Sequence, residues 1–536
     1  MSTSKFRVSN EFRAAMGWLH TWAGIAASCF LFMIFWMGSL AVFDREIDQW
    51  MKPEMRVANP SQTFSYAAVF DHLRAGDAKN AKRLFVRAPS EREPLASTFY
   101  QTADGEFVRG QADPTSGEPV DVTESYAGTG FLYPFHYSLH IPAGIGYWVV
   151  GFSAMAMLVL IVSGVFIHRK IVKDFFTFRP DKTLRRSTLD LHNLSSLVAL
   201  PLHILFPLTG LMIFFQIYLP WSSNVVFAGE ASLKRSEVFA IPSVKPSGDP
   251  LTTPFDIDEL IAEVESLWND HDSSVASRAD SVRLELANDA NAYLMVREVF
   301  PSRAVSMNKN LTAIAVKDGT ILSNASAGPA KSTYAWLAGA HFIQFDSWVL
   351  RWLYFSGGLL GALMIASGLV FWMQSRIRKG RLDPRSVRVV RGLAVGSITG
   401  IILASTAYLV TNRLIPAESL GFGLGRADLE VLVFYLVWLS SYAHAAARGT
   451  VAWREQCLLI VPVAIAAVIL NWVTTGDHPI AAYQAGMTQV WSMDGVLLFG
   501  AGIAWLAAGR LKVTDTTSSV DRAVLGPIAP EFRPAE

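Results

Sequence analysis

Two cysteines are all that this 536-residue chain carries. Cys29 and Cys457 both stand inside apolar runs, so neither a disulfide framework nor a cysteine metal site is expected, and both read as small core residues. Charge is equally sparse. Asp, Glu, Lys and Arg make up 17% of the residues and balance to a net +1, which leaves no electrostatic footprint for a nucleic acid. Also missing are a nucleophile elbow, a P-loop, a dinucleotide fingerprint placed after a strand, and an HExxH pair. The chain therefore has no flavin or nicotinamide site of its own, and any reducing power has to come from another protein or a membrane quinol.

What the chain has in quantity is apolar sequence. A hydrophobic content of 51% and a mean hydropathy of +0.30 fit a polytopic membrane protein. A span needs about 20 apolar residues, and such stretches occur at 14–43, 145–168, 191–220 and 349–373, with four more at 392–412, 429–447, 456–474 and 489–509 inside a C-terminal bundle over 392–509. The apolar run after Lys5, Arg7 and Arg13 is too long for a signal-peptide core and is expected to stay as an anchor. Arginine and lysine crowd 169–186 and 376–391. By the positive-inside rule the loops 169–190 and 374–391 are cytoplasmic, together with the N-terminus 1–13 and the tail 510–536. The hydrophilic segments 44–140 and 221–345 then lie outside. Each mixes a helical stretch, such as Phe255 to Trp268, with alternating runs such as Val282-Arg283-Leu284-Glu285-Leu286, so each is expected to be a small α+β domain.

The spans repeat. Leu19-His20-Thr21-Trp22 leads into a segment with Gly38, and Leu191-His192-Asn193-Leu194 leads into one with Gly210, at the same offset of 172 for His and Gly. Ser163-Gly164-Val165-Phe166 matches Ser367-Gly368-Leu369-Val370 near the ends of the returning spans. The unit of helix, outer segment, helix thus occurs twice in one orientation, as in parallel repeats related by an axis along the membrane normal. His20 and His192 must then lie at one membrane face and can share one site.

A second histidine level is expected at the opposite face, formed by His341 with His136, His140 or His203. Intramembrane histidines read as functional by default. Paired neutral imidazoles across a helix bundle suit bis-axial ligation of haem iron, and Gly24, Gly38, Gly210 and Gly368 would admit a flat ring or a close backbone. Two haems, one near each face, would form a wire across the bilayer. His203 sits about 20° off the face of His192 and about 16 Å further along an ideal helix, between Pro201 and Pro207. His168 stands at the interface beside Arg169; His72, His271, His444 and His478 read as solvated or structural. Tyr133, Tyr147, Trp148, Trp348 and Trp352 read as an outer aromatic belt.

Leu19-His20-x-Trp22-x-Gly24, Phe135-His136-x-x-Leu139-His140, the run from His168 to Pro180, Asp190-Leu191-His192-Asn193, Leu200-Pro201-Leu202-His203 and Ala340-His341-Phe342 together resemble the PepSY-associated transmembrane helix family over about residues 10–380. Asp113-Pro114-x-x-Gly117-Glu118 resembles a PepSY turn. The resemblance implies a multi-pass protein of the bacterial inner membrane linked to iron uptake. It is similar to di-haem reductases that release iron from ferric siderophores in the periplasm, with haem b, an electron source on the cytoplasmic side and a periplasmic acceptor. Two other readings of the same residues are a siderophore or metal transporter that uses the histidines as relays, and a non-enzymatic PepSY-type regulatory module.

Overall fold

A computed structural model describes residues 9–511, apart from interruptions of which the longest are 57–63, 169–176, 226–240, 270–276, 299–304 and 417–422. Most of the basic run after His168, His271 and the tail from 512 lie outside the described residues. The chain is a polytopic α-helical membrane protein with an α+β region. Among the described residues seven helices are long and apolar enough to cross a membrane, or eight if one bent pair counts as a single span.

The first half opens with α1 (Asn10–Ala41), started by the Ser9 hydroxyl accepting from the Phe12 amide at 3.1 Å. Helix α2 (Asp44–Met51) follows directly, and α3 (Tyr66–Ala75) begins the outer segment. Strands β1 (Arg83–Arg87), β2 (Ala96–Gln101), β3 (Phe107–Ala112) and β4 (Pro119–Val120) come next, then a π-helical turn Ala127–Leu132, α4 (Tyr133–Ser138) and the returning span α5 (Ile145–Ile167). The second half repeats the order: α6 (Leu184–Val198), α7 (Leu200–Ile213), α8 (Ile257–Asn269), β5 (Ala279–Glu285), β6 (Tyr293–Glu298), β7 (Leu311–Ala315), β8 (Ile321–Ala325), α9 (Pro329–Phe342) and α10 (Trp348–Arg378). 

The third span differs from the expectation of one run over 191–220. It starts earlier and bends by 67° between α6 and α7. Pro201 explains the break: it has no N–H to give to the preceding turn, and its ring restricts Leu200. Pro207 stays inside α7 without a second break. Helices α1, α5, α6–α7 and α10 form the four-helix bundle of the duplicated unit, with α1 lying against both α5 and α10.

The two outer segments were expected as separate domains. They form one antiparallel sheet instead, ordered β4-β3-β2-β1-β5-β6-β7-β8. Strand β1 pairs with β5 about Phe85 and Arg283, so the two halves meet strand to equivalent strand, as a twofold axis through that pair requires. Joining them covers an edge that each half would otherwise expose. The alternation of β1 and β5 buries Leu84, Val86, Val282 and Leu284 on one face, where Val69 and Phe70 of α3 and Ile261, Val264 and Trp268 of α8 close the core.

The sheet is tied to the bundle by charge. Arg351 at the start of α10 and Arg92 before β2 both bind Glu46 of α2, and Arg92 also reaches Asp44 at 3.3 Å. All four side chains are buried. Burial pushes the Asp44 carboxyl up to about 6 against the pull of Arg92.

Beyond α10 the chain adds α11 (Pro384–Val395), a π-helical turn Gly396–Gly400, α12 (Ile401–Leu414), α13 (Arg426–Arg448), α14 (Val451–Thr475) and α15 (Thr488–Arg510). This group packs on α1 and α2: Trp36 donates to the Ser405 hydroxyl at 3.1 Å and Trp50 to Asp494 at 2.8 Å. Among the described residues none after Trp372 lines the two histidine cavities of the duplicated bundle. His444 pairs with Glu455 at 3.0 Å and His478 caps a short helix, accepting from the Ala481 amide at 3.2 Å.

Candidate functional site

Two histidine pairs stand at opposite ends of the duplicated bundle. The end away from the sheet brings His20 of α1 and His192 of α6 to a ring-centroid separation of 6.3 Å, with ring planes 80° apart. The end beside the sheet brings His136 of α4 and His341 of α9 to 6.0 Å and 30°. From His20 to Gly38 the α1 axis rises about 27 Å at ~1.5 Å per residue, so the pairs are separate sites.

One local rule builds all four positions. Each ring lies against a glycine of a neighbouring helix and gives its Nδ1–H toward the carbonyl four residues before that glycine. His20 faces Gly164 and donates to Leu160 O at 3.0 Å; His192 faces Gly368 and donates to Met364 O at 2.7 Å; His136 faces Gly38 and donates to Ile34 O at 2.9 Å. His341 faces Gly210, points its Nδ1 toward Phe206 O and donates to the Thr209 hydroxyl at 2.9 Å, that hydroxyl itself donating to Leu205 O at 2.6 Å. Helix carbonyls are normally used up by the next turn; here a second donor shares each one, and the glycine lets the ring come near enough. Donation from Nδ1 leaves Nε2 as the lone-pair nitrogen. In the neutral form each pair thus presents two Nε2 lone pairs on rings whose orientation is fixed from behind, as second-shell partners fix metal-ligating histidines.

The two outer histidines ride on short helices held by α2 in one half and by the connection between β6 and β7 in the other. The turn 127–132 before α4 is seated by Asp48, whose carboxylate accepts from the Gly128 amide at 2.7 Å, the Thr129 amide at 3.0 Å and the Thr129 hydroxyl. Gly128 itself lies so close to Asp44 O that a Cβ would sit 2.2 Å from it. Helix α9 is backed by the chain at Val305, whose carbonyl leaves no room for a Cβ at Gly339. Both helices end in the left-handed region, at Leu139 (φ 52°) and Ile343 (φ 54°).

That geometry decides among the histidines proposed for the outer level. His136 is brought to His341. His140 is not: with φ 50° it turns back, donating from Nε2 to Phe131 O at 2.9 Å and stacking on the Phe131 ring at 4.8 Å. His203 is not brought there either. The bend at Ala199 swings it toward α10, where Nε2 meets Gly357 O at 3.2 Å and the ring lies edge-on to Phe35 at 5.9 Å. It lines the cavity of the inner pair.

Each pair opens on a cavity. The inner one, about 390 Å³, is lined by His20 and His192 with Gly24, Gly164, Gly368 and His168, in otherwise largely apolar walls. The outer one, about 120 Å³, holds His136 and His341 with Gly38, Gly151, Gly210 and Gly358, and a further 50 Å³ space beside it reaches Asp44, Tyr133 and Gln344. Leu31 and Met157 border both larger cavities and partition them. Sequence reasoning had named Gly24, Gly38, Gly210 and Gly368. It missed Gly164 as a site residue, although the Ser-Gly repeat at 163–164 and 367–368 carried that signal. It also gave no role to Thr209 or Asn193.

Residues 17–375, two thirds of the chain and the whole of the duplicated unit, match the family described as the PepSY-associated TM region. An uncharacterised protein of Pseudomonas aeruginosa is 26% identical over 386 residues, covering 68% of this chain and 84% of its own length. The family match spans both histidine pairs and the shared sheet and stops in the last turn of α10, before the appended helices. On this evidence the chain belongs to the PepSY-associated transmembrane family.

Proposed function

We propose that the protein is a di-haem b membrane cytochrome that carries electrons from one face of the bilayer to an acceptor on the sheet side, the acceptor being a ferric siderophore. The observation that carries this reading is the pair geometry. Two imidazoles that would hold one iron between them, each through a metal–nitrogen bond of about 2 Å, would have ring centres about 6 Å apart. The two pairs measure 6.3 and 6.0 Å. The donor chemistry fits as well: neutral imidazoles with a free Nε2, apolar walls, and glycines where a flat ring needs room. His20 and His192 would hold the inner haem, His136 and His341 the outer one. When bound, haem supplies one-electron transfer with no other chemistry required of the protein.

The chain's own residues do the rest. Leu160, Met364, Ile34 and Thr209 fix the tautomers, and the apolar walls exclude water. The basic runs at 169–186 and 376–391 support a cytoplasmic side for the inner pair and an inner-membrane location with the sheet in the periplasm. Reduction to Fe(II) weakens the hold of a siderophore's oxygen donors on iron. The siderophore as acceptor is what the resemblance of the sequence motifs implies.

The test is haem quantified per chain in purified protein. A count near two with b-type bands supports the reading, and so does reoxidation of the reduced protein by a ferric siderophore. His192→Ala should lose one haem and His341→Ala the other. A protein purified from haem-sufficient cells with no b-type spectrum would refute it.

A further inference from the structure

The electron donor is the open end of this scheme, and the inner cavity carries a pair of polar groups that haem ligation does not use. His168, the residue that ends α5, lines that cavity, and its Nε2 lies 3.0 Å from the Asn193 Oδ1 of α6. Asn193 accepts at Oδ1, so Nε2–H donates and Nδ1 is left with a lone pair; the Asn193 Nδ2 amide remains as a donor. His168 stands four residues beyond Gly164, the glycine that His20 faces, about 6 Å along α5. Asn193 directly follows His192. A proton acceptor and an amide donor thus sit side by side within about one turn of the inner pair.

The surroundings are those of a lipid-soluble ligand. Trp18, Trp22, Val165 and Phe166 are exposed apolar residues on α1 and α5 at this end of the bundle. Gly17, which also lines the cavity, has nothing near the place its Cβ would take. Among the described residues the lining is otherwise largely apolar, from Ile25, Leu31 and Leu160 to Leu189, Leu197 and Phe371.

We propose that the His168–Asn193 end of the inner cavity is a quinol-oxidising site. This rests on the haem reading for its electron acceptor. Nδ1 of His168 accepts the proton of one quinol hydroxyl, and the Asn193 amide donates to the oxygen that becomes a carbonyl. Oxidation of one quinol breaks two O–H bonds and releases two protons and two electrons. One proton leaves by way of His168 to the adjoining aqueous face and the other passes from the second hydroxyl to water, and the electrons pass singly to the His20–His192 site and on to the outer pair. One quinol therefore serves two one-electron acceptors.

The experiment is anaerobic mixing of the purified full chain with a short-chain ubiquinol, following the reduced b-type band. His168→Ala should slow reduction by about 100-fold, the usual worth of a positioned base, while dithionite reduces the same amount of haem in both proteins. Asn193→Leu should raise the quinol concentration needed for half-maximal rate. Equal rates in His168→Ala and the parent would overturn the proposal. So would a parent protein that quinol leaves oxidised while a soluble flavin reductase reduces it. A photoreactive azidoquinone gives an answer independent of haem: crosslinking to the peptides around 160–168 or 189–200 supports the site, and crosslinking elsewhere overturns it, whether or not the preparation contains haem.

Discussion

The glycine beside each histidine makes a sharp prediction, because the four are not equally tight. A Cβ at Gly368 would stand 2.8 Å from Nδ1 and 2.9 Å from Cε1 of His192, whereas one at Gly164 would stand 3.3 Å from the nearest atom of His20. Ordinary contact begins near 3.4 Å. In Gly368→Ala the His192 ring must therefore withdraw by about 0.6 Å, while in Gly164→Ala a tenth of an ångström suffices. The withdrawal stretches the 2.7 Å bond to Met364 O beyond good hydrogen-bond length and disturbs the 6.3 Å pairing with His20. Overpacking costs about 1–3 kcal/mol and loss of the bond about 1 kcal/mol, less about 1 kcal/mol gained by Ala over Gly in a helix. The net is about 2 kcal/mol against the folded site. Gly500→Ala is the control, since nothing lies within 4 Å of that Cβ. Haem per chain and thermal melting in detergent read the outcome: Gly368→Ala should lose the inner haem or melt lower, Gly164→Ala should stay near the parent, and Gly500→Ala should match or exceed it. A Gly368→Ala protein with two haems and the melting temperature of Gly500→Ala would refute the packing argument.

Three further outcomes follow from the same geometry. Asp44 is held at about 6 by burial, with Arg92 pulling the other way, against about 3.9 when unfolded. Between these values the folded chain keeps a proton the unfolded chain has lost, so stability falls as pH rises from about 4 to 6 and then levels. Asp44→Asn removes that slope, and its stability relative to the parent should rise by about 3 kcal/mol between pH 4 and 7; a difference that stays flat in paired melting curves contradicts it. Arg351→Ala leaves Glu46 with Arg92 as its remaining cation in a buried site and should destabilise the joint between sheet and bundle by roughly 3–5 kcal/mol, seen as faster proteolysis of the outer region. His140→Ala and His203→Leu should both retain two haems, since neither ring faces its supposed mate; loss of a haem in either would return that histidine to the ligand set.

The inner pair was legible in the sequence because its signal is local and repeated. His20 and His192 occupy the same place in two copies of one span, and parallel copies must put them at the same face. The outer pair was only half legible. His136 and His140 lie one turn apart on paper, and what separates them is a helix that ends in the left-handed region at Leu139, a feature no apolar periodicity announces. His203 was misled by the ideal helix: eleven residues of unbroken α-helix keep it in line with His192, and a 67° bend does not. Pro201 marked the site of that bend without giving its direction. The union of the outer segments was illegible for another reason. Strand β1 finds β5 nearly 200 residues away, and each strand alone carries only its own alternation.

The glycines explain why the two halves can diverge in detail and still build equivalent sites. In the inner pair the histidines lie on the first span of each half and the glycines on the returning span; in the outer pair the glycines lie on the first span of each half and the histidines on the short helix before the return. The exchange of roles means that each first span serves both levels, through His20 and Gly38 in one half and His192 and Gly210 in the other. Any slip of α1 against α5 therefore disturbs both sites at once. Rigidity of the two first spans matters more than that of the returning spans, and α1 is braced by the appended helices: Ser405 of α12 holds Trp36, two residues from both Ile34, the carbonyl that anchors His136, and Gly38, the glycine it faces. If bracing is their contribution, Trp36→Phe should weaken the outer site and spare the inner one, measured as selective loss of the outer haem. Equal loss at both levels would instead point to a global effect of the appended bundle on the fold.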